Sequence, residues 1–155
     1  MTRGDREIRP VGDRFGYLLK HARERLASLS AESVERFGIN GRELAILTVI
    51  AEGEPPSQLE AAQRLAIDRT TMVVLLDGLE AKGLVERRAD PADRRRNIVV
   101  LTPAGRTSLD GATSATDEAE RAFLEPIGEA GGDQLRKMLQ ALISTDDQST
   151  SGDSS

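Results

Sequence analysis

The longest run of like charge in the chain is Arg94, Arg95 and Arg96, with Asp93 just before it. A guanidinium keeps its charge at any physiological pH and presents a planar fork of donors that suits phosphate and carboxylate. Upstream, Arg69, Thr70 and Thr71 supply a cation and two hydroxyls beside Val73 and Val74. These residue types bind anions and base edges by non-covalent contact; they do not make or break bonds. Groups that would do so are scarce. The chain has no cysteine and one histidine, His21, and it contains neither a G-x-G-x-x-G nor a P-loop pattern. Neither a catalytic residue nor a bound cofactor is predicted. One histidine with a carboxylate such as Glu24 makes no persuasive metal site.

The elements that must position the arginines and threonines are legible from caps and periodicity. Ser57-Gln58-Leu59-Glu60 is a capping-box pattern and predicts a short helix to Leu65. Ala66-Ile67 breaks it, and Asp68 caps a second helix with an apolar stripe of Met72, Leu75, Leu76 and Leu79. Gly83 stops that helix. Residues 84–88 and 97–101 read as strands joined by a loop of turn formers and arginines. Two helices, a tight turn and a hairpin make a winged helix-turn-helix, spanning 41–101 with its preceding helix, in a mainly α chain. In that geometry the second helix enters the DNA major groove.

Stepping about 100° per residue, the surface opposite the stripe carries Thr70, Val74, Asp77 and Ala81, with Val73 and Gly78 at its flanks, and the groove-facing set is Arg69, Thr70, Thr71, Val73, Val74 and Asp77. Threonine hydroxyls suit phosphates, and threonine and valine methyls suit thymine methyl groups. A bare carboxylate at Asp77 would be repelled by phosphates, so it is expected to pair with Arg94 or Arg95. Arg87 and Arg88 are expected to meet phosphate or solvent. The predicted DNA contacts are therefore Arg69, Thr70, Thr71, Val73, Val74, Asp93, Arg94, Arg95 and Arg96.

The net charge of −5 argues against a nucleic-acid partner until the chain is divided. Residues 57–101 hold 8 basic and 7 acidic side chains, while the acidity lies beyond them. Local charge governs phosphate contact. No apolar run approaches a membrane span, and the first residues lack an apolar signal region. With zero cysteines this predicts a cytoplasmic protein with no membrane association. Residues 1–12 read as a flexible arm and 145–155 as a disordered tail, leaving 13–144 as one domain. Apolar residues at helical spacing mark a first helix over 13–31. Thr102-Pro103 starts a long helix, which Pro126 and Gly128 interrupt and Gly131-Gly132-Asp133 restarts. The terminal helices, 13–31 and 103–143, carry apolar faces, and packing them on a second copy would form a homodimer.

Several strings together resemble the multiple-antibiotic-resistance regulator (MarR) family. They are Leu65-Ala66-Ile67-Asp68-Arg69-Thr70-Thr71-Met72, Leu79-Glu80-Ala81-Lys82-Gly83-Leu84-Val85, Asp93-Arg94-Arg95-Arg96-Asn97 and Leu101-Thr102-Pro103-Ala104-Gly105. The resemblance covers roughly 15–143. It implies a dimeric transcription regulator on a palindromic double-stranded operator, by default a repressor, modulated by a small-molecule effector. It also implies that Asp93 and Arg95 form the wing-tip pair, with Arg95 entering the minor groove. The effector would lie between the helical dimer region and the winged module, with Tyr17, His21 and Phe37 as candidate lining. Relatives often carry Arg where this chain has Val74 and Gly78, and Gly where it has Ala66. A rival reading from the same residues is a winged-helix protein–protein module, in which Val73 and Val74 meet an apolar partner.

Overall fold

The computed structural model describes residues 8–144. Six helices and one hairpin follow in the order α1 (Phe15–Glu35), α2 (Gly41–Ala51), α3 (Gln58–Arg64), α4 (Arg69–Ala81), β1 (Val85–Ala89), β2 (Asn97–Leu101), α5 (Pro103–Leu124) and α6 (Gly128–Ser144). The helix starts follow from side-chain caps. Asn40 and Glu43 close a reciprocal capping box at α2, and Ser57 and Glu60 close another at α3. Thr102 Oγ1 accepts the Gly105 N–H at the start of α5 (3.0 Å). Each cap satisfies main-chain donors that a helix leaves open, about 1 kcal/mol apiece.

The core gathers where α2, α3, α4 and the hairpin meet. Ile46, Leu47, Met72, Leu76, Leu79, Val85 and Val99 are fully buried there. Three of the four stripe residues of α4 face this core, and Leu75 is half-buried. The strands pair antiparallel in the register Val85↔Leu101 to Ala89↔Asn97. The hairpin is docked on the helices by a further bond, from the Val99 N–H to the Pro56 carbonyl (2.9 Å).

Two turns end helices α3 and α4 in the same way. At Gly83 (φ 72°), and again at Ala66 (φ 51°), the chain enters the left-handed region. The Gly83 and Leu84 N–H groups close back on Glu80 and Leu79, and the Ala66 and Ile67 N–H groups on Gln63 and Ala62. Both are Schellman closures, but only one carries the residue that fits without strain. Ala66→Gly is expected to raise stability by about 0.5–1 kcal/mol, the relief of Cβ strain exceeding the extra freedom of the unfolded chain. Urea unfolding of the variant measures it; a lower midpoint would mean that the turn is unstrained.

The terminal regions depart from the sequence expectation in three places. α1 runs four residues past 31, to Glu35, where Val34 is buried. Within the expected flexible arm, Val11–Asp13 forms one 3-10 turn; residues 1–7, like the expected tail 145–155, lie outside the described residues. α6 restarts at Gly128 (φ 70°), three residues before the predicted point. Gly131 and Gly132 are then interior helix positions, where a Cβ would stand 3.0 Å from Ile127 and from Leu124 respectively. They allow α6 to close tightly on the end of α5.

Candidate nucleic-acid interface

α4 and the hairpin wing present the predicted contact residues on one module, but not all in the predicted role. On α4, Arg69, Thr70 and Val74 are exposed, whereas Thr71 and Val73 are half-buried. The Thr71 hydroxyl is already committed, donating to Asp68 Oδ2 (2.5 Å), while the Thr71 N–H donates to Oδ1 (2.9 Å). These two bonds, the hydroxyl first, hold the Asp68 carboxyl below its usual pKa. Thr71 thus belongs to the helix cap as much as to the contact surface.

Asp77 has an arginine partner, but a different one from that expected. Arg87 on β1 reaches back with Nη2 to Asp77 Oδ1 (2.7 Å) and with Nη1 to Glu80 Oε2 (2.6 Å), and its Nε donates to Gln58 (3.3 Å). One guanidinium thereby joins β1, α4 and α3 and offsets part of the negative charge that Asp77 and Glu80 place on α4. Arg87 is accordingly not a free phosphate contact. Charge-assisted pairs of this geometry fix direction as well as adding energy.

Within the arginine run the structure separates three residues of identical type. Arg96 turns inward, pairing with Glu60 on α3 and with Asp90 (3.6 Å) at the start of the wing loop. Glu60 serves two partners at once. The Ser57 N–H (2.7 Å) and then Arg96 stabilise its charged form and lower its pKa. Asp93 shapes the tip: its Oδ1 accepts the Arg95 N–H (3.1 Å) and its carbonyl accepts the Arg96 N–H (2.9 Å). Arg94 and Arg95 are exposed, and neither guanidinium has an ion-pair partner among the described residues. Arg88 makes only a loose pair with Glu86 (3.7 Å).

Two anchors that sequence reasoning missed hold this surface in place. Lys82, at the end of α4, donates to the buried Glu43 (2.8 and 2.9 Å) and to the Gly38 carbonyl (2.9 Å). Leu84, just before β1, turns its carbonyl toward α5, where it accepts the Thr102 N–H (3.1 Å). A Cβ at Gly105 would stand 1.9 Å from that oxygen. The L-T-x-x-G string is therefore a docking motif for the wing, and its spacing was the available signal.

The residues expected to line an effector pocket are not brought together. Tyr17 stacks on His21, with ring centroids 4.1 Å apart, and His21 Nδ1 lies 3.3 Å from Glu24. Phe37 packs over Gly111, and along a helix rising about 1.5 Å per residue it stands roughly 30 Å from Tyr17. A cleft of about 410 Å³ between α2 and α5 is lined instead by Thr48, Glu52, Leu109, Asp110, Thr113 and Asp117. Among the described residues no group of three or more His, Cys, Asp or Glu side chains is placed to hold a metal ion, and no helix is long and apolar enough to cross a membrane.

Comparison with known proteins places these features in a family context. Residues 37–96 match the sequence profile of the MarR family. The chain is 30% identical to the HTH-type transcriptional regulator YdgJ of Bacillus subtilis over 68% of its own length, and spans 62% of that relative. A probable transcriptional regulator of Pseudomonas aeruginosa superimposes with a TM-score of 0.75 at 33% identity, covering 86% of this chain and 99% of that one. CouR from Rhodococcus jostii, solved with p-coumaroyl-CoA bound, gives 0.76 at 29% identity, covering 87% and 95%.

Proposed function

The chain belongs to the MarR family, and from that premise we propose that it is a homodimeric, cytoplasmic, sequence-specific DNA-binding regulator and not a catalyst. It binds a palindromic double-stranded operator, represses nearby genes and answers to a small-molecule effector. The observation that carries the reading is the sorting of the wing arginines. Arg87 and Arg96 lock the hairpin onto α3 and α4, and this leaves Arg94 and Arg95 exposed at the wing tip without an ion-pair partner among the described residues. A helix in the major groove and a cationic tip reaching phosphate or minor groove is the use such an arrangement serves. Support for the dimer comes from the terminal helices. Phe15 is 74% exposed, and on α6 Leu142 is 70% and Ile143 74% exposed, more apolar surface than a lone chain leaves in water without reason. The effector is proposed by analogy with ligand-bound CouR.

The test is binding of the full chain to DNA upstream of its own gene, followed by anisotropy through a salt titration. Affinity is expected to fall steeply and log-linearly with salt. Arg95→Ala is expected to weaken binding by about 1–3 kcal/mol and to lower the salt slope by about one. Arg88→Ala, whose side chain already has Glu86 nearby, is expected to change binding less and equally on all sequences. Negligible effects from both would remove the wing from the mechanism.

A further inference from the structure

Apart from the first turn, the outward face of α4 has no free hydrogen-bond donor, and this restricts what it can read. Arg69 and Thr70 are exposed at its start. Beyond them, the Thr71 hydroxyl is held by Asp68, Val73 is half-buried, Asp77 is held by Arg87 and Lys82 is held by Glu43. Gly78 has no side chain, and no atom lies within 4 Å of where its Cβ would be. What remains in the middle of the helix is Val74, 64% exposed and one turn after Thr70 on the same face. Every hydrogen-bonding group on a major-groove base edge would go unanswered by a valine. The one apolar feature displayed there is the C5-methyl group of a pyrimidine.

We infer that Val74, with Thr70 beside it, is a specificity-determining residue that selects a C5-methylated pyrimidine in each operator half-site. The inference rests on the DNA-binding reading above and names the feature that reading leaves open. The same chemistry comes from two sources, thymine and 5-methylcytosine. Asp77 and Val73 take no part: one is held by Arg87, the other turned partly into the protein.

The experiment begins with duplexes enriched from a random pool by the full chain. Each thymine of the enriched half-site is then replaced by deoxyuridine, which deletes only the methyl. Binding is expected to fall roughly fourfold at one position, the size expected for one buried methyl. A second arm places C·G or 5-methyl-C·G at that position, and the methylated duplex is expected to bind more tightly by a similar factor. In Val74→Ala both differences should vanish. In Val74→Ile they should persist, and the thermal midpoint of either variant should be unchanged, since the side chain is outside the core. Indifference to uracil at every position, or a methyl preference that survives Val74→Ala, overturns the assignment. A loss on uracil with no gain from 5-methylcytosine makes the methyl contact conditional on the A·T pair, and overturns selection of a C5-methylated pyrimidine as such. Failure to enrich any duplex removes DNA binding itself, and this inference with it.

Discussion

Gly105→Ala is expected to destabilise the protein by about 3 kcal/mol or more and to lower its denaturation midpoint by about 10 °C. The added Cβ would stand 1.9 Å from the Leu84 carbonyl oxygen and 2.9 Å from its carbon. Both are main-chain atoms, so no side-chain rotation relieves the overlap. That carbonyl also accepts the Thr102 N–H, and the Thr102 hydroxyl donates to Gly83 (2.6 Å) while capping α5. Moving it apart would loosen the wing's attachment and the start of α5 together. Two other glycines give the comparison. At Gly111 the added carbon would meet the Phe37 ring at 2.3 Å, a side chain that can swing, so the cost should be smaller. At Gly78 there is open space on an exposed helix, and alanine is expected to stabilise by about 1 kcal/mol. Calorimetry or urea unfolding of the three variants should rank them in that order. Gly105→Ala as stable as the parent would mean that α5 does not approach Leu84 so closely.

Leu142→Asp combined with Ile143→Asp is expected to give a folded monomer whose operator affinity is lower by a factor of about 100 or more. Both side chains stand mostly in solvent within one chain, so charge there should leave the protomer's own core intact. In a dimer they would be enclosed, and two buried carboxylates per protomer would cost more than association gains. Affinity falls steeply because two half-sites bound by one rigid dimer reinforce each other through effective concentration, typically 10²–10⁴-fold. Sedimentation equilibrium and circular dichroism separate the outcomes, with DNA anisotropy as the functional measure. Retained dimerisation at micromolar concentration would place the interface elsewhere than on α6. A helical monomer that still binds operator at parental affinity would remove the need for two copies.

What the sequence determined by itself about this protein is the part governed by short-range forces. The Ser57–Glu60 capping pair, the Asp68 and Thr102 caps, the Met72–Leu79 stripe and the two strands are all found within a residue of their expected places. Each depends on bonds or periodicities spanning three to five positions, or on alternation along a strand, and is therefore written locally. The family resemblance, resting on strings of that kind, placed the module correctly as well. Position along the chain could not say which arginines are free. Arg94, Arg95 and Arg96 are adjacent and chemically identical, yet only Arg96 finds a carboxylate on α3, 36 residues away in sequence. Asp77 was correctly expected to need a cation, but the cation came from Arg87, ten residues on, because the hairpin folds β1 and not its tip over α4. The same applies to Gly105, whose necessity lies in a carbonyl 21 residues earlier, and to Val74, which is left with Thr70 on the outward face because Thr71 and Asp77 are engaged. A guanidinium on a long flexible stem reaches whatever carboxylate packing brings near, and packing is decided by the whole core. Tertiary structure alone therefore determined which charges hold the fold together and which are left exposed at the wing tip.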